Sequence, residues 1–249
     1  MQVANGVAML EISAVVLGKT ETIFPTLFWD ETTALLVDAG YPGQQHLIQA
    51  ALQRYGAPLD HLLNIVLTHQ DIDHIGSAPA LLPLVPHKID VWSHPLEKPY
   101  IQGEKRLLKI TPAAIAQILE ALPGDWPEEK RAAFKFALEN PPKVQVDHPL
   151  SGGQELSWYG GIVVIDTPGH SPGHISLYHQ PSKTLIAGDC LVVVENELRL
   201  PRPEMCHDFK LAAKSVQKLT DYNLEAVICY HGGFYNKGVN SRIAELATV

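Results

Sequence analysis

The stretch Leu62-Leu63-Asn64-Ile65-Val66-Leu67-Thr68-His69-Gln70-Asp71-Ile72-Asp73-His74 decides how the rest of the chain is read. Its first half is a short apolar run of the kind buried on both faces of a sheet. Its second half places four potential metal ligands, His69, Asp71, Asp73 and His74, within residues 69–74. A tight loop past a strand end can turn His69 and Asp71 toward one point and Asp73 and His74 toward a neighbouring one, which suits two cations. The competing explanation is a solvated helix N-terminus, where acidic side chains favour the helix dipole.

Three later residues stand in similar places. His170 follows the apolar run IVVIDTPG, Asp189 follows TLIAG and His231 follows AVICY. Singly, a His after a strand is an ordinary surface residue and an Asp after Gly a turn former. Strand ends that repeatedly deliver His or Asp beside small residues are hard to explain as independent accidents. The predicted metal set is therefore His69, Asp71, Asp73, His74, His170, Asp189 and His231.

Around these positions the pattern reads as α/β. MLEISAVVLG, TIFPTLFW and TALLVDAG read as strands, the last two joined across Asp30-Glu31-Thr32. QQHLIQAALQRYG carries Leu47, Ile48, Ala51 and Leu52 on one helical face. SAPALLPL returns to helix and KIDVWSHP to strand. ELSWYGGIVVIDTPG reads as one strand, HISLYHQ pairs with KTLIAGDCLVVV, and helix DFKLAAKSVQKLTDY, strand EAVICYH and helix SRIAELA close the chain. Residues from about 95 to 142 differ: LLKITPAAIAQILEAL and PEEKRAAFKFALEN look like an inserted helical cap. With 249 residues, 46% of them hydrophobic, the expectation is a single domain over 1–249 carrying that insertion.

Composition excludes several classes. Nineteen Lys and Arg against 27 Asp and Glu give a net charge of −8 with no basic cluster, so neither nucleic-acid binding nor a nuclease exosite is expected. No apolar run is long enough to cross a bilayer, and the N-terminal residues do not read as a secretory signal. Three scattered cysteines suit a reducing compartment, and a cytoplasmic location is expected. The expected partner is a small-molecule substrate; the sequence allows a homo-oligomer without specifying one.

Taken together, these motifs resemble the metallo-β-lactamase-fold superfamily, whose His-x-His-x-Asp-His string matches residues 69–74 and whose later His, Asp and His match His170, Asp189 and His231. The resemblance implies a four-layer αββα sandwich with a dinuclear site along one edge. It also implies that metal one is held by His69, Asp71 and His170, metal two by Asp73, His74 and His231, with Asp189 bridging. Asp71 stands where most members carry a second His. The extra carboxylate makes the metals weaker Lewis acids and suits harder ions, so manganese or iron stands beside zinc, the first choice for the two divalent ions.

The expected chemistry is hydrolysis. A hydroxide shared by two divalent ions attacks a carbonyl, with Asp73 as the catalytic proton carrier. By analogy with lactonases of this fold, esters or lactones rank first, thioesters second and β-lactams third. The alternatives are a diiron oxidoreductase, suggested by the carboxylate at Asp71, and a non-catalytic metal-binding module. Tyr100 in the insert is a candidate substrate donor, and Leu107, Leu108, Trp126, Phe134 and Phe136 are expected to line an apolar cleft with it. Asp38 is expected to bond loop amides, Cys190 to be a buried structural thiol, and His174 to be an ordinary residue at a strand start rather than a support for the site.

Overall fold

The computed structural model describes residues 1–16 and 19–248; Leu17 and Gly18, at the end of the first expected strand, and Val249 lie outside the described residues. The first half of the chain gives strands β1 (Gln2–Ala4), β2 (Val7–Met9), β3 (Ile12–Val16), β4 (Lys19–Ile23), β5 (Thr26–Trp29) and β6 (Ala34–Val37). Helix α1 (Gln45–Arg54), β7 (Leu62–Leu67), α2 (Ile72–Ile75), α3 (Ala78–Leu81) and β8 (Asp90–Ser93) follow. The insert supplies α4 (Lys98–Ile101), α5 (Pro112–Glu120) and α6 (Glu128–Glu139), and the chain rejoins the sheet at β9 (His148–Pro149). The second half adds β10 (Glu155–Leu156), β11 (Ile162–Asp166), β12 (Ile175–His179), β13 (Thr184–Gly188), β14 (Val192–Val194) and β15 (Glu197–Arg199). It ends with α7 (Phe209–Gln217), β16 (Ala226–Cys229), β17 (Gly233–Tyr235) and α8 (Val239–Leu246).

Two sheets form the centre. One runs β1-β2-β5-β6-β7-β8-β9 and the other β10-β11-β12-β13-β16-β17, while β3-β4 and β14-β15 are separate hairpins. Strand side chains alternate between faces, and that period sorts the core into layers. Leu35, Val37 and Val66 of the first sheet meet Val164, Ile186 and Ile228 of the second, forming the inter-sheet core. Their neighbours Leu36, Ile65 and Leu67 face the other way onto Ile48 and Leu52 of α1 and Ile101 of α4. On the second sheet Leu185, Ala187 and Val227 turn outward onto Val216 of α7 and Ile243 of α8. Helices therefore cover both outer faces, giving the four-layer αββα sandwich.

Several boundaries differ from expectation for local reasons. ELSWYGGIVVIDTPG is two strands, because Tyr159, Gly160 and Gly161 all take positive φ and fold the chain back so that β10 pairs antiparallel with β11. KTLIAGDCLVVV divides at Asp189-Cys190-Leu191 into β13 and β14. TIFPTLFW breaks at Phe24-Pro25, leaving β4 in a hairpin with β3 while β5 joins the first sheet. Among the described residues no helix is long and apolar enough to cross a membrane.

Candidate metal centre

Strands β6, β7 and β8 run parallel, as do β13 and β16. Their carboxyl ends, together with the end of β11, open onto one edge of the sandwich, and the predicted ligands sit in the loops that leave them. His69, Asp71, His170 and Asp189 offer ligand atoms within 4.8 Å of one another, as do Asp73, His74 and His231. Asp71 Oδ2 lies 3.2 Å from His69 Nε2 and 3.0 Å from His170 Nε2. Asp73 Oδ2 lies 3.2 Å from His231 Nε2. Asp189 joins the two groups, with Oδ2 3.2 Å from His170 Nε2 and 3.5 Å from His231 Nε2, and Oδ1 3.4 Å from His74 Nε2.

The helix-terminus explanation of residues 69–74 fails on one observation: Asp71 precedes α2, yet its side chain makes no capping hydrogen bond. Its carboxylate turns to the histidines instead.

Buried polar partners fix each imidazole. The Thr68 backbone N–H and hydroxyl donate to Asp38 Oδ1 and Oδ2, both at 2.8 Å. With that proton used, the Thr68 oxygen can only accept from His69 Nδ1–H at 3.0 Å, leaving the His69 Nε2 lone pair toward the cluster. Asp38 Oδ2 also accepts from His74 Nδ1–H at 2.9 Å. Asp38 thus bonds a loop amide, as expected, and orients His74 as well. It does so from φ 63°, a conformation uncommon for a residue with a Cβ.

His174 corrects the sequence reading. It is fully buried, and its Nε2 accepts from the Asp189 backbone N–H at 2.9 Å. Its Nδ1–H donates to Thr167 Oγ1, whose hydroxyl donates to Ser176 Oγ, which donates to the Ala187 carbonyl. This run of protons forces a neutral ring, and burial beside His69 and His170 holds the His174 pKa well below its ordinary value. The adjoining position must be glycine: Gly188 has φ +54°, and a Cβ there would lie 2.7 Å from His174 Nε2.

Electrostatics divides the cluster. Burial raises Asp71, but His69, His170 and Lys109 outweigh it and hold the carboxyl well below its usual range. Asp189 is likewise held down against burial by His231, His74 and His170. Burial lowers His231, but Asp189 and Asp73 carry it up to about 10. His74 is raised well above its ordinary value against burial by Asp38, Asp189 and Asp73. His69 Nε2, His74 Nε2 and Asp189 Oδ1 are buried without a hydrogen-bond partner. Orphaned polar atoms on an imidazole and carboxylate set are costly unless a partner takes them, and the donor types present fit a divalent metal. Cys190 is no competing ligand; it is a buried thiol that burial pushes up to about 12.

Several residues escaped the sequence reading. Lys109 Nζ reaches 2.5 Å from Asp71 Oδ2 and 2.7 Å from His170 Nε2. Glu97, fully buried, accepts from Gln70 N and Nε2 on one oxygen and from Ser171 Oγ and Gly173 N on the other. It ties the loop of His69 and Asp71 to the loop of His170. Tyr230 stacks its ring 3.8 Å from that of His74 and donates its hydroxyl to the Asp73 carbonyl. No spacing marks any of the three.

A cavity of about 500 Å³ lies over the cluster, lined by Asp71, Asp73, His170, Asp189 and His231 on its floor. Its apolar walls come from Ile72, Leu107, Ile110, Pro201, Met205 and β14, with Tyr41 and Arg202 as polar members. The expected cleft differs. Of the insert residues proposed for it, Leu107 lines this cavity, whereas Tyr100 lines a separate cleft with Gly103 and Leu138. Trp126 and Phe134 pack edge to face on each other, and Phe136 is 67% exposed. The insert turns Ile101, Leu107, Ile115 and Leu138 into the core beneath it, so its helices pack as structure and only the 107–110 loop reaches the metal side.

The comparisons agree with this architecture. The chain is 30% identical over 230 residues to the probable metallo-hydrolase YflN of Bacillus subtilis, covering 86% of this chain and 81% of the relative. The uncharacterized protein YobT of the same bacterium is 28% identical, covering 86% and 87%. In fold, a metallo-beta-lactamase family protein of Thermus thermophilus superimposes with a TM-score of 0.67 at 23% identity, over 98% of this chain and 79% of that one. The family model of the metallo-beta-lactamase superfamily matches residues 22–231, and the chain belongs to that superfamily.

Proposed function

We infer that the chain is a hydrolase that cleaves an ester or lactone carrying an apolar acyl group. The observation that carries this reading is the convergence of His69, Asp71, Asp73, His74, His170, Asp189 and His231 on the floor of a cavity whose walls are mostly apolar. When bound, two divalent metals supply hydroxide near neutral pH and polarise the scissile carbonyl. His69, Asp71 and His170 would hold the first and Asp73, His74 and His231 the second, with Asp189 shared. Zinc is the first choice; the carboxylate of Asp71 keeps manganese and iron in view.

The chain's own residues do the rest. Asp73 lies on the cavity floor and is held below its ordinary pKa, against burial, by His74 and His231, so its carboxylate is an acceptor that can take the proton of an attacking water and pass it to the leaving oxygen. Tyr41, not Tyr100, is the phenol on the cavity wall. Burial and the nearby carboxylates raise its pKa, so it stays protonated and can donate to the substrate carbonyl. The walls exclude water from the acyl side. The three cysteines are free thiols, which supports a reducing, cytoplasmic setting.

The test is a panel of alkyl esters, acyl lactones, thioesters and β-lactams, applied to protein stripped with a chelator and reloaded with zinc, manganese or iron. Ester or lactone cleavage that vanishes on stripping and returns on loading is expected. Tightly held iron with oxygen consumption and no ester cleavage would replace this reading with the diiron oxidoreductase that Asp71 suggests. Bound metal without turnover of any kind would leave a binding module.

A further inference from the structure

Lys109 stands in the loop between α4 and α5, and its backbone is placed by a bond from Leu108 N–H to Gln70 Oε1 at 2.8 Å. Gln70 is itself held by Glu97 between His69 and Asp71. The loop that carries the lysine is thus pinned to the ligand loop, and the side chain reaches across to Asp71 Oδ2 and His170 Nε2 at 2.5 and 2.7 Å. Lys109, Asp71 and His170 also line both the main cavity and a second one of about 250 Å³ that contains Glu204 and His207. The lysine thus stands, with Asp71 and His170, where the two cavities adjoin.

A divalent ion bonds carboxylate oxygen and imidazole nitrogen at about 2.0–2.2 Å. Asp71 Oδ2 and His170 Nε2 are 3.0 Å apart. An ion bonded to both would therefore lie no farther than about 3.7 Å from Lys109 Nζ where that atom now stands, even on the opposite side of the pair. A doubly charged ion and an ammonium cannot share two donors at that range without strong repulsion. The second group, Asp73, His74 and His231, has no lysine or arginine on it among the described residues.

We propose that Lys109 is a tethered cation that competes with the metal held by His69, Asp71 and His170, so that the centre loads in two separate steps. The inference rests on the metal-centre reading above. The ion of Asp73, His74 and His231 enters first. The other enters only when Lys109 swings out, which joins the two cavities above the site. The charge of Lys109 also balances the carboxylate of Asp71.

The test is calorimetric titration of chelator-stripped full-length protein with zinc alone, comparing the parent chain with Lys109→Met, Lys109→Gln and Lys105→Met. Near-ultraviolet circular dichroism checks each fold, and the Gln variant serves if the Met variant does not fold. The parent should bind in two steps, the second at least about tenfold weaker than the first. Both Lys109 variants should tighten the second step about tenfold or more while leaving the first within about twofold, and Lys105→Met, on the same loop but away from the ligands, should match the parent. A second step that is unchanged or weaker in the Lys109 variants overturns the competition while leaving the metal centre intact. Absence of zinc binding in every form overturns the metal centre itself.

Discussion

Glu97→Gln isolates the buried joint between the two ligand loops. The carboxylate is fully buried and accepts four hydrogen bonds, two per oxygen, from Gln70 N, Gln70 Nε2, Ser171 Oγ and Gly173 N at 2.6–3.1 Å. Glutamine keeps the shape but sets an NH₂ against one pair of donors. The cheaper choice faces it to Ser171, whose hydroxyl can turn and accept, and this still strands the Gly173 N–H. Losing charge assistance on the remaining bonds and orphaning a buried donor costs about 3 kcal/mol, which for a chain of this size lowers the thermal midpoint by roughly 6–12 °C. Because Gln70 and Ser171 adjoin His69, Asp71 and His170, metal affinity should also fall about tenfold to a hundredfold. Differential scanning calorimetry and zinc titration read the two effects. A midpoint within about 2 °C of the parent with unchanged zinc affinity would refute the claim that Glu97 holds these loops together.

Asp38→Asn retains the size of the side chain but puts its oxygen and NH₂ in conflict with the Thr68 N–H, the Thr68 hydroxyl and His74 Nδ1–H; zinc affinity should drop about tenfold to a hundredfold, and equal affinity would remove Asp38 from the support of His74. Metal binding should release protons. His231 is carried up to about 10 by Asp189 and Asp73, so the stabilisation it gives metal-free protein is complete below the unfolded value near 6.5 and is lost as pH rises through about 10. Near pH 8 the His231 ring is charged and must lose its proton to bind a metal, so titrations in buffers of different ionisation enthalpy should report net release of about one proton per chain. No net release would show this ring already neutral.

The sandwich was legible because its strands alternate. Leu35 and Val37 point one way and Leu36 the other, and the buried runs of β7, β13 and β16 announce themselves as apolar stretches. The positions that converge on the cluster were legible because each lies at or beside such a run's end, near Gly, Pro or Thr. What stayed hidden depends on contacts across long sequence separations. Glu97 meets Ser171 and Gly173, and Lys109 meets His170, only because the start and middle of the insert fold down beside the β11–β12 loop. His174 looked ordinary because the hydroxyls of Thr167 and Ser176 that define its tautomer come from a neighbouring turn and strand. The cavity wall was misassigned because helical spacing shows which face of α5 or α6 is apolar, but not whether that face meets a ligand or the core below.

The most direct measurement of the central claim is anomalous diffraction from crystals soaked in zinc. The account predicts two peaks, one at about 2.0–2.2 Å from atoms of His69, Asp71 and His170 and the other at that distance from Asp73, His74 and His231, with Asp189 reaching both. Crystals without a peak among these seven side chains, or with zinc bound only elsewhere on the surface, would contradict it.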